Sequence, residues 1–181
     1  MSVDGYSATT KGELDWIPYD DEFEKFGEKI VRSVGSPLYG RVTYELMKGY
    51  WQSVMADPAA FSEHDRQHVK WLENVPKVVF SKTLMQPDWK NTQVISDDVA
   101  AEVAKLKAQA GQDLVIFGSP TLALSLMELG LIDEFQFTVS PVILGEGKTF
   151  MREVKKRTQL ELLASETFKA GVIALRYKIL R

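Results

Sequence analysis

Apolar residues recur along the chain with two spacings, one typical of helices and one typical of strands. Phe23, Phe26 and Ile30 recur at helical spacing and predict an amphipathic helix over residues 21–33. The uninterrupted apolar run DLVIF at 113–117 is typical of a strand in the centre of a parallel sheet. The same criteria predict strands at 36–39, 76–81, 92–95, 134–144, 159–168 and 172–180, and helices at 41–48, 57–73, 98–110 and 120–130.

The order of these elements predicts the fold class. Strands alternate with helices over most of the chain, which predicts an α/β fold with a mostly parallel sheet covered by helices on both faces. The last two strands flank Lys169-Ala170-Gly171 and are expected to form an antiparallel hairpin. Residues 4–20 are predicted to form a long loop, and Asp57 and Asp97 to cap the helices that follow them. We expect a single domain spanning residues 1–181.

Composition and charge narrow the classes of protein. The chain has 181 residues, 45% of them apolar and 26% charged, as in ordinary globular domains. Its net charge of -3 gives no general attraction to nucleic acid or to an anionic membrane, so neither is an expected partner. The absence of cysteine excludes disulfides, thiolate metal sites and cysteine nucleophiles. The sequence shows no transmembrane segment and no secretion signal, so a cytoplasmic location is expected.

Two predicted strand-to-helix junctions carry residues suited to binding phosphate: GRVT at 40–43 and GSPT at 118–121. In each junction a glycine lets a ligand approach the backbone, and the free amides and positive dipole end of a helix follow. Arg41 adds a cation, and hydroxyl groups come from Thr43, Ser119 and Thr121. Two phosphate sites suit a dinucleotide, but such junctions also occur without ligands in many folds.

A third polar group, Ser81-Lys82-Thr83, stands at the carboxyl end of the predicted strand 76–81. Two hydroxyls and a cation there suit one more phosphate, such as the 2′-phosphate of NADPH. Neither the G-x-G-x-x-G fingerprint nor the Walker sequence is present. The residues alone therefore leave the function open.

Four segments occur in the order SVDGYSATTKGELDW, GRVTYELMKGYW, KVVFSKTL and DLVIFGSPTLALSLMELGLIDEFQFTVSPVILGEGKTF. Together they resemble the dihydrofolate reductase-like superfamily, and within it the branch related to the reductase domain of the bacterial riboflavin-biosynthesis deaminase-reductase. The resemblance covers nearly the whole chain. It implies the three-layer α/β fold of that superfamily, NADPH as cofactor, a small-molecule substrate and assembly as a homodimer.

The resemblance also assigns residues to parts of the cofactor. It places Gly40, Arg41 and Thr43 at a phosphate, Ser81, Lys82 and Thr83 at the adenosine end, and Gly118 and Ser119 along the pyrophosphate and nicotinamide. Thr121 and Leu122 are further candidates for cofactor binding. The family carries Gly-Gly where this chain has Gly118-Ser119. Family members also begin with an apolar strand before the S-x-D-G-Y segment, whereas this chain starts at Met1. Without that central strand, we expect unpaired backbone groups on both sides of its position.

Hydride transfer needs an aligned substrate and, for some substrates, a proton donor. The catalytic candidates are Asp20, Asp21 and Glu22, because the folate enzymes carry an acid on the helix after this loop; Asp4 and Asp15 are further acids nearby. The same acids are also typical of a helix cap and an acidic first turn. Candidates for substrate binding are Asp4, Trp16 and Tyr19, and the two aromatic residues are equally compatible with a lid that packs on the core.

Three further expectations concern a metal site, alternative functions and the substrate. His64 and His68 are interpreted as part of a solvated helix face, because two ligands without a third do not make a metal site. A nucleotide-binding protein without turnover remains an alternative to a reductase, and an FMN-binding flavodoxin-like protein is a weaker one. The substrate stays open among dihydrofolate, a ribosylaminopyrimidine and another metabolite.

The carboxyl-terminal third predicts a homodimer. Phe135, Phe137 and Val139 share one side of a strand, and the alternation in the next strand places Leu160, Leu162 and Ala164 on one side. Leu163, Ile173 and Leu175 then add apolar area that one buried face does not absorb. The alternative is that helices of the same chain cover these residues.

Overall fold

The computed structural model describes residues 1–109, 111–152 and 154–181, and the chain divides into two compact units. One unit comprises Met1–Lys29 and Leu124–Arg181, and the other comprises Ile30–Ala123. The strands are β1 (Tyr6–Ala8), β2 (Val34–Gly40), β3 (Lys77–Phe80), β4 (Thr92–Ile95), β5 (Asp113–Ile116), β6 (Glu134–Val139), β7 (Lys148–Thr149), β8 (Leu160–Thr167) and β9 (Ile173–Ile179). The α-helices are α1 (Asp21–Ser33), α2 (Arg41–Ala56), α3 (Glu63–Asn74), α4 (Val99–Ala108) and α5 (Pro120–Glu128).

The unit Ile30–Ala123 is built on a four-stranded parallel sheet with the order β4-β3-β2-β5. Leu38 of β2 lies opposite Val78 on one neighbour and Ile116 on the other. Apolar side chains of the sheet pack with those of α2 and α3 in a core that includes Tyr39, Tyr44, Trp51, Val54, Leu72, Val79 and Trp89. Because all four strands are parallel, their carboxyl ends meet at one edge of the sheet.

The other unit carries two antiparallel arrangements. β1 pairs with β7, and β6, β9 and β8 form a three-stranded sheet in that order. The chain start runs beside the end of β6, where the Ser140 N–H donates to the Met1 carbonyl at 2.8 Å and the Val3 N–H to the Val142 carbonyl at 2.8 Å. Among the strands that the structure describes, β5 pairs only with β2 and β6 only with β9. One edge of each of these strands therefore has no strand partner.

The α/β class and the closing antiparallel hairpin are confirmed, whereas several boundaries differ from the prediction. The predicted loop 4–20 contains the short strand β1, and the predicted strand 134–144 ends at Val139. The predicted helix 41–48 continues to Ala56. Position 110, inside another predicted helix, lies outside the described residues.

Two predicted helix caps are wrong. Asp57 precedes only a short 3₁₀ turn, Pro58–Ala60, and the following helix begins after Ser62, whose hydroxyl accepts the Asp65 N–H at 3.1 Å. The residue that precedes α4 is Asp98, which adopts a left-handed conformation and makes no side-chain cap, whereas Asp97 accepts a hydrogen bond from Ser96. Within the described ranges, no helix has both the length and the apolar character needed to cross a membrane.

Candidate functional site

The two glycine junctions lie side by side at the carboxyl edge of the parallel sheet. β2 ends at Gly40 and the neighbouring β5 is followed by Gly118, and the Gly40 N–H donates to the Ser119 hydroxyl at 2.9 Å. A Cβ placed on Gly118 would lie 3.9 Å from Thr43 Cγ2, and one on Gly40 would lie 3.9 Å from Leu122 Cβ. The structure thus brings together five of the residues that the sequence assigns to the cofactor: Gly40, Thr43, Gly118, Ser119 and Leu122. Thr121 lies in the first turn of α5, which begins at Pro120.

The first turn of α2 differs from the first turns of α1 and α3. Its N-cap is Gly40, no side chain caps it, and it has no acidic residue in its first turn. By contrast, Asp20 accepts the Phe23 N–H at the start of α1, and α3 is capped by Ser62. Both of those helices also begin with acidic residues. The amides at the start of α2 therefore lack the side-chain acceptors that usually satisfy them, as expected where an anionic ligand takes that place.

Arg41 places a positive charge at the first position of α2, where the helix dipole opposes it. Its Nη1 pairs with Glu45 at 3.0 Å, and both side chains are about half exposed to solvent. An exposed pair of this kind adds little to stability. The pair with Glu45 therefore gives the helix little reason for a cation at this position.

The turn after β3 lies at the same edge, because β3 is the other neighbour of β2. The Ser81 hydroxyl accepts the backbone N–H groups of Thr83 at 3.1 Å and Leu84 at 3.0 Å, so this side chain shapes the turn itself. Lys82 is exposed and, in the part of the chain that the structure describes, has no ion-pair partner. Of the three residues in this turn, Lys82 is therefore the one whose charge is available to an anion.

The backbone at the second junction is left-handed at two successive positions. Gly118 has a φ of 62°, which glycine adopts without cost, and Ser119 has a φ of 44°, which a residue with a side chain rarely adopts. Ser119 is also buried, with 5% of its surface exposed. The sequence could not reveal this conformation, because Ser-Pro before a helix usually indicates an ordinary helix start.

Two of the three catalytic candidates have structural roles. Asp20 is the N-cap of α1, through its bond from the Phe23 N–H at 2.9 Å. Glu22 accepts the Lys169 Nζ at 2.6 Å and the Lys169 N–H at 3.1 Å, and these bonds lower the pKa of Glu22. A carboxylate held ionised in this way is poorly suited to donate a proton. Asp21 is exposed in the first turn of the helix.

The residues predicted to contact a substrate lie in the unit that contains both chain termini. Asp4 accepts the N–H groups of Leu144 at 3.1 Å and Gly145 at 2.8 Å, and a bond from Ser2 together with these amides lowers the pKa of Asp4. Trp16 donates its ring N–H to the Glu13 carbonyl at 3.2 Å, and Tyr19 is mostly exposed, with its ring edge to face with Phe23. Asp4 therefore also shapes the 144–145 turn.

The interpretation of His68 as part of a solvated face is wrong. Its ring stacks on Trp51 with centroids 4.4 Å apart, and its burial together with the neighbouring His64 lowers the pKa of His68 to about 4. The described residues contain no group of three or more histidine, aspartate or glutamate side chains placed to hold a metal ion.

A cavity of about 950 Å³ opens at the opposite, amino-terminal edge of the same sheet, lined in part by Lys77, Trp89 and Thr92. Sequence analysis missed Lys77, although a lysine in an otherwise apolar strand was a usable signal. Its buried Nζ donates to the carbonyls of Leu72 and Val75 at the end of α3 and lies 5.0 Å from the Trp89 ring centre. Burial lowers the pKa of Lys77 to about 8. These contacts give Lys77 a structural role, so we place the functional site at the other edge.

Comparison with solved structures identifies the fold. The chain has the dihydrofolate reductase-like fold: it matches Enterococcus faecalis dihydrofolate reductase, solved in complex with NADP(H) and RAB-propyl, with a TM-score of 0.60 and 17% identity over 100% of this chain and 93% of that one. It also matches a Shewanella sp. PV-4 protein provisionally assigned to riboflavin biosynthesis, with a TM-score of 0.78 and 22% identity over 100% and 96% of the two chains. These matches confirm the predicted fold.

The chain belongs to the RibD C-terminal domain family, whose model matches residues 1–174. A relative in Bacillus subtilis (strain 168), the uncharacterized protein YyaP, is 32% identical over 179 residues, which is 98% of this chain and 90% of the relative. Family membership confirms the resemblance drawn from the sequence and supports a reductase-like role.

Proposed function

We propose that the protein is an NADPH-dependent reductase of a small heterocyclic or sugar-bearing metabolite. The observation that carries the proposal is the pair of adjacent glycine junctions, joined by the bond from Gly40 to Ser119, at the carboxyl edge of a parallel sheet. In open α/β sheets, ligands bind at this edge. The uncapped first turn of α2 adds free amides at the same place.

Each of the three turns at this edge would bind a different part of the cofactor. Gly40, Arg41 and Thr43 would hold one phosphate at the start of α2, and the turn at Gly118-Ser119 would follow the pyrophosphate. Lys82 would pair with the 2′-phosphate, because its charge is not used by a neighbouring acid. NADPH, when bound, supplies the hydride; the chain contributes binding, orientation and the exclusion of water.

The substrate class rests on the family. We expect a small heterocyclic or sugar-bearing molecule of the riboflavin-precursor type rather than dihydrofolate, because the sequence is closer to the RibD branch. Since Glu22 is held ionised by Lys169, any proton that the substrate needs is expected to come from another group or from water.

The proposal is tested by calorimetric titration with NADPH, NADH and FMN in parallel. We expect NADPH to bind more tightly than NADH, because Lys82 adds a charge-assisted bond to the 2′-phosphate that NADH lacks, and FMN to bind weakly. Equal affinity for NADPH and NADH would contradict the role of Lys82.

Replacement of Arg41 gives the sharper test. Arg41→Ala should weaken NADPH binding by about 1.5–3 kcal/mol if its charge-assisted bonds form. The matched control is Arg176→Ala, since Arg176 also makes an exposed pair, with Glu134 at 2.6 Å, in the unit that does not contain the junctions. A similar loss in both variants would point to a general effect of charge on binding.

A nucleotide-binding protein of the same fold without turnover is the second candidate. The structural use of Asp20 and Glu22 favours it, since neither is then free to act as an acid. Incubation with candidate pyrimidine, pterin and phosphoribosyl substrates distinguishes the two: a reductase oxidises NADPH with at least one of them, and a binding protein retains the reduced cofactor.

A further inference from the structure

We infer that Ser119 is a positioning residue that fixes the separation of the two phosphate-binding turns; this inference rests on the proposed function. Its hydroxyl accepts the Gly40 N–H at 2.9 Å, and the residue is 5% exposed. It therefore joins the turn that follows β5 to the turn that follows β2. This role differs from the direct contact with the cofactor that the sequence suggested.

The hydrogen bond between Gly40 and Ser119 lies just beyond the end of the pairing of β2 with β5. The backbone pairing of β2 with β5 ends where Leu38 lies opposite Ile116. Beyond that point the two segments lead into α2 and α5. The hydrogen bond from the Gly40 N–H to the Ser119 hydroxyl is the next one that joins them. Without it, the two turns would be related only through the paired strands before them and the packing of Gly118 near Thr43.

The backbone conformation supports the same role. Ser119 has a φ of 44°, in the left-handed region that favours glycine, and Gly118 before it is also left-handed. A second glycine would adopt this conformation more easily than serine does. What serine adds is a side-chain oxygen at the correct place to accept the Gly40 N–H. The strained conformation of Ser119 is thus accompanied by a hydrogen bond that joins the two turns.

A fixed separation should favour a ligand that spans both turns over ligands that occupy one. A dinucleotide binds both turns at once, so its affinity includes the benefit of holding them at the required distance. Each half of the dinucleotide needs only one turn and does not gain that benefit. Loss of the Ser119 hydroxyl should therefore weaken the binding of the whole dinucleotide much more than the binding of either half.

The test is to titrate the wild-type protein, Ser119→Gly and Ser119→Ala with NADPH, and separately with 2′,5′-ADP and with reduced nicotinamide mononucleotide. We expect Ser119→Gly to weaken NADPH binding about tenfold and to change the affinity for each half less than about twofold. Thermal unfolding of Ser119→Gly should occur at the wild-type temperature or above, because glycine relieves the left-handed backbone. Ser119→Ala should lose the same affinity and also unfold at a lower temperature.

Asn91→Gly is the matched control. Asn91 is also left-handed, with a φ of 55°, and its side chain also bonds to backbone, but at the amino-terminal edge of the same sheet. We expect it to leave all three affinities unchanged. Unchanged NADPH affinity in Ser119→Gly would overturn this inference, as would an equal loss for NADPH and for one half, which would make Ser119 a direct ligand. Failure of the wild-type protein to bind NADPH would overturn the proposed function and this inference together.

Discussion

The glycines of this chain differ in whether the fold itself requires them. Gly147 has a φ of 155°, and a Cβ there would lie 2.3 Å from the Ala8 carbonyl oxygen, so the backbone itself excludes any other residue. Gly40 has a φ of -79° and a ψ of 160°, which any residue adopts. A Cβ on Gly40 would make ordinary contacts, 3.6 Å from Ser119 Oγ at the closest. Nothing in the described chain therefore requires glycine at position 40, which is consistent with the approach of a ligand.

Replacement of Gly40 should separate binding from folding. We expect Gly40→Ala to bind NADPH at least about tenfold more weakly, because the new methyl group stands where a phosphate would meet the backbone. Its free energy of unfolding should stay the same or rise by about 0.4–1 kcal/mol, since alanine restricts the unfolded chain. Isothermal calorimetry and thermal unfolding measure the two quantities.

Gly49→Ala provides the control for this experiment. Gly49 lies in the middle of α2 with open space around its Cα, so alanine should stabilise the helix and leave NADPH binding unchanged. If Gly40→Ala binds NADPH as the wild type does, no phosphate lies at that position.

At the scale of elements, α2 and α3 are joined by an aromatic contact that includes an ionisable ring. His68 of α3 stacks on Trp51 of α2, and the rings of His68 and Trp71 lie edge to face with centres 5.2 Å apart. Burial lowers the pKa of His68 from 6.5 to about 4, so the folded protein favours the neutral ring. The contact between the two helices is thus expected to depend on pH.

The sign of that dependence follows from the direction of the shift. The folded pKa lies below the unfolded one, so the stabilisation is complete above pH 6.5 and declines as the pH falls towards 4. We expect the protein to lose about 1–3 kcal/mol over this window, allowing for the partial exposure of the ring. Thermal unfolding of His68→Phe should show a smaller loss between the same two pH values. His64→Gln keeps the stacked ring and should retain most of the wild-type slope.

The sequence predicted elements well where local signals agree and poorly where tertiary contacts decide. The bounds of β4 are predicted correctly because TQVI is short and lies between polar residues. The prediction ended α2 at residue 48, yet Trp51 and Val54 beyond Gly49 are buried in the core and hold the helix together. Asp57-Pro58 resembles a helix start, but Ser62 provides the cap that α3 uses.

The candidate site shows the same limit. Glycine and hydroxyl residues after apolar strands predict that two turns lie at one sheet edge, and family membership supports that expectation. The bond between Gly40 and Ser119 depends on the register of β2 with β5 and on the φ of Ser119, and neither is encoded in a local pattern. The role of Glu22 was equally hidden, because Lys169 is distant in the chain.

For the whole molecule, the three-stranded sheet has one apolar face that is incompletely covered. Cross-strand partners share a face, and the register places Phe135, Leu162 and Tyr177 together on it. Phe135 is buried, whereas Leu162 is 54% exposed and Ile173 is 39% exposed. The predicted grouping of Leu162 with Ala164 is wrong, since an irregularity between them turns Ala164 to the other face, opposite Arg176.

We propose that this exposed apolar area forms a homodimer interface, as expected from the sequence. Light scattering after size exclusion at micromolar concentration should give twice the monomer mass of 20.4 kDa. Leu162→Lys should shift the protein to the monomer, because burial of a charge at the interface is unfavourable. Leu46→Lys alters a leucine on α2 that is even more exposed, at 68%, and should leave the dimer intact. A mass near 20.4 kDa at all concentrations would reject the dimer.

The pairing of β2 with β5 also has a consequence for the order in which the protein forms. Gly40 and Ser119 are 79 positions apart in the chain, so the turns meet only after a long loop has closed. β2, β3 and β4 are closer in sequence and can assemble before β5 is available. During synthesis, a ribosome must therefore have released the chain beyond Ser119 before the two turns can meet. Under the proposed function, NADPH added to a refolding mixture should act only on the last step, by stabilising molecules in which β5 has already paired with β2.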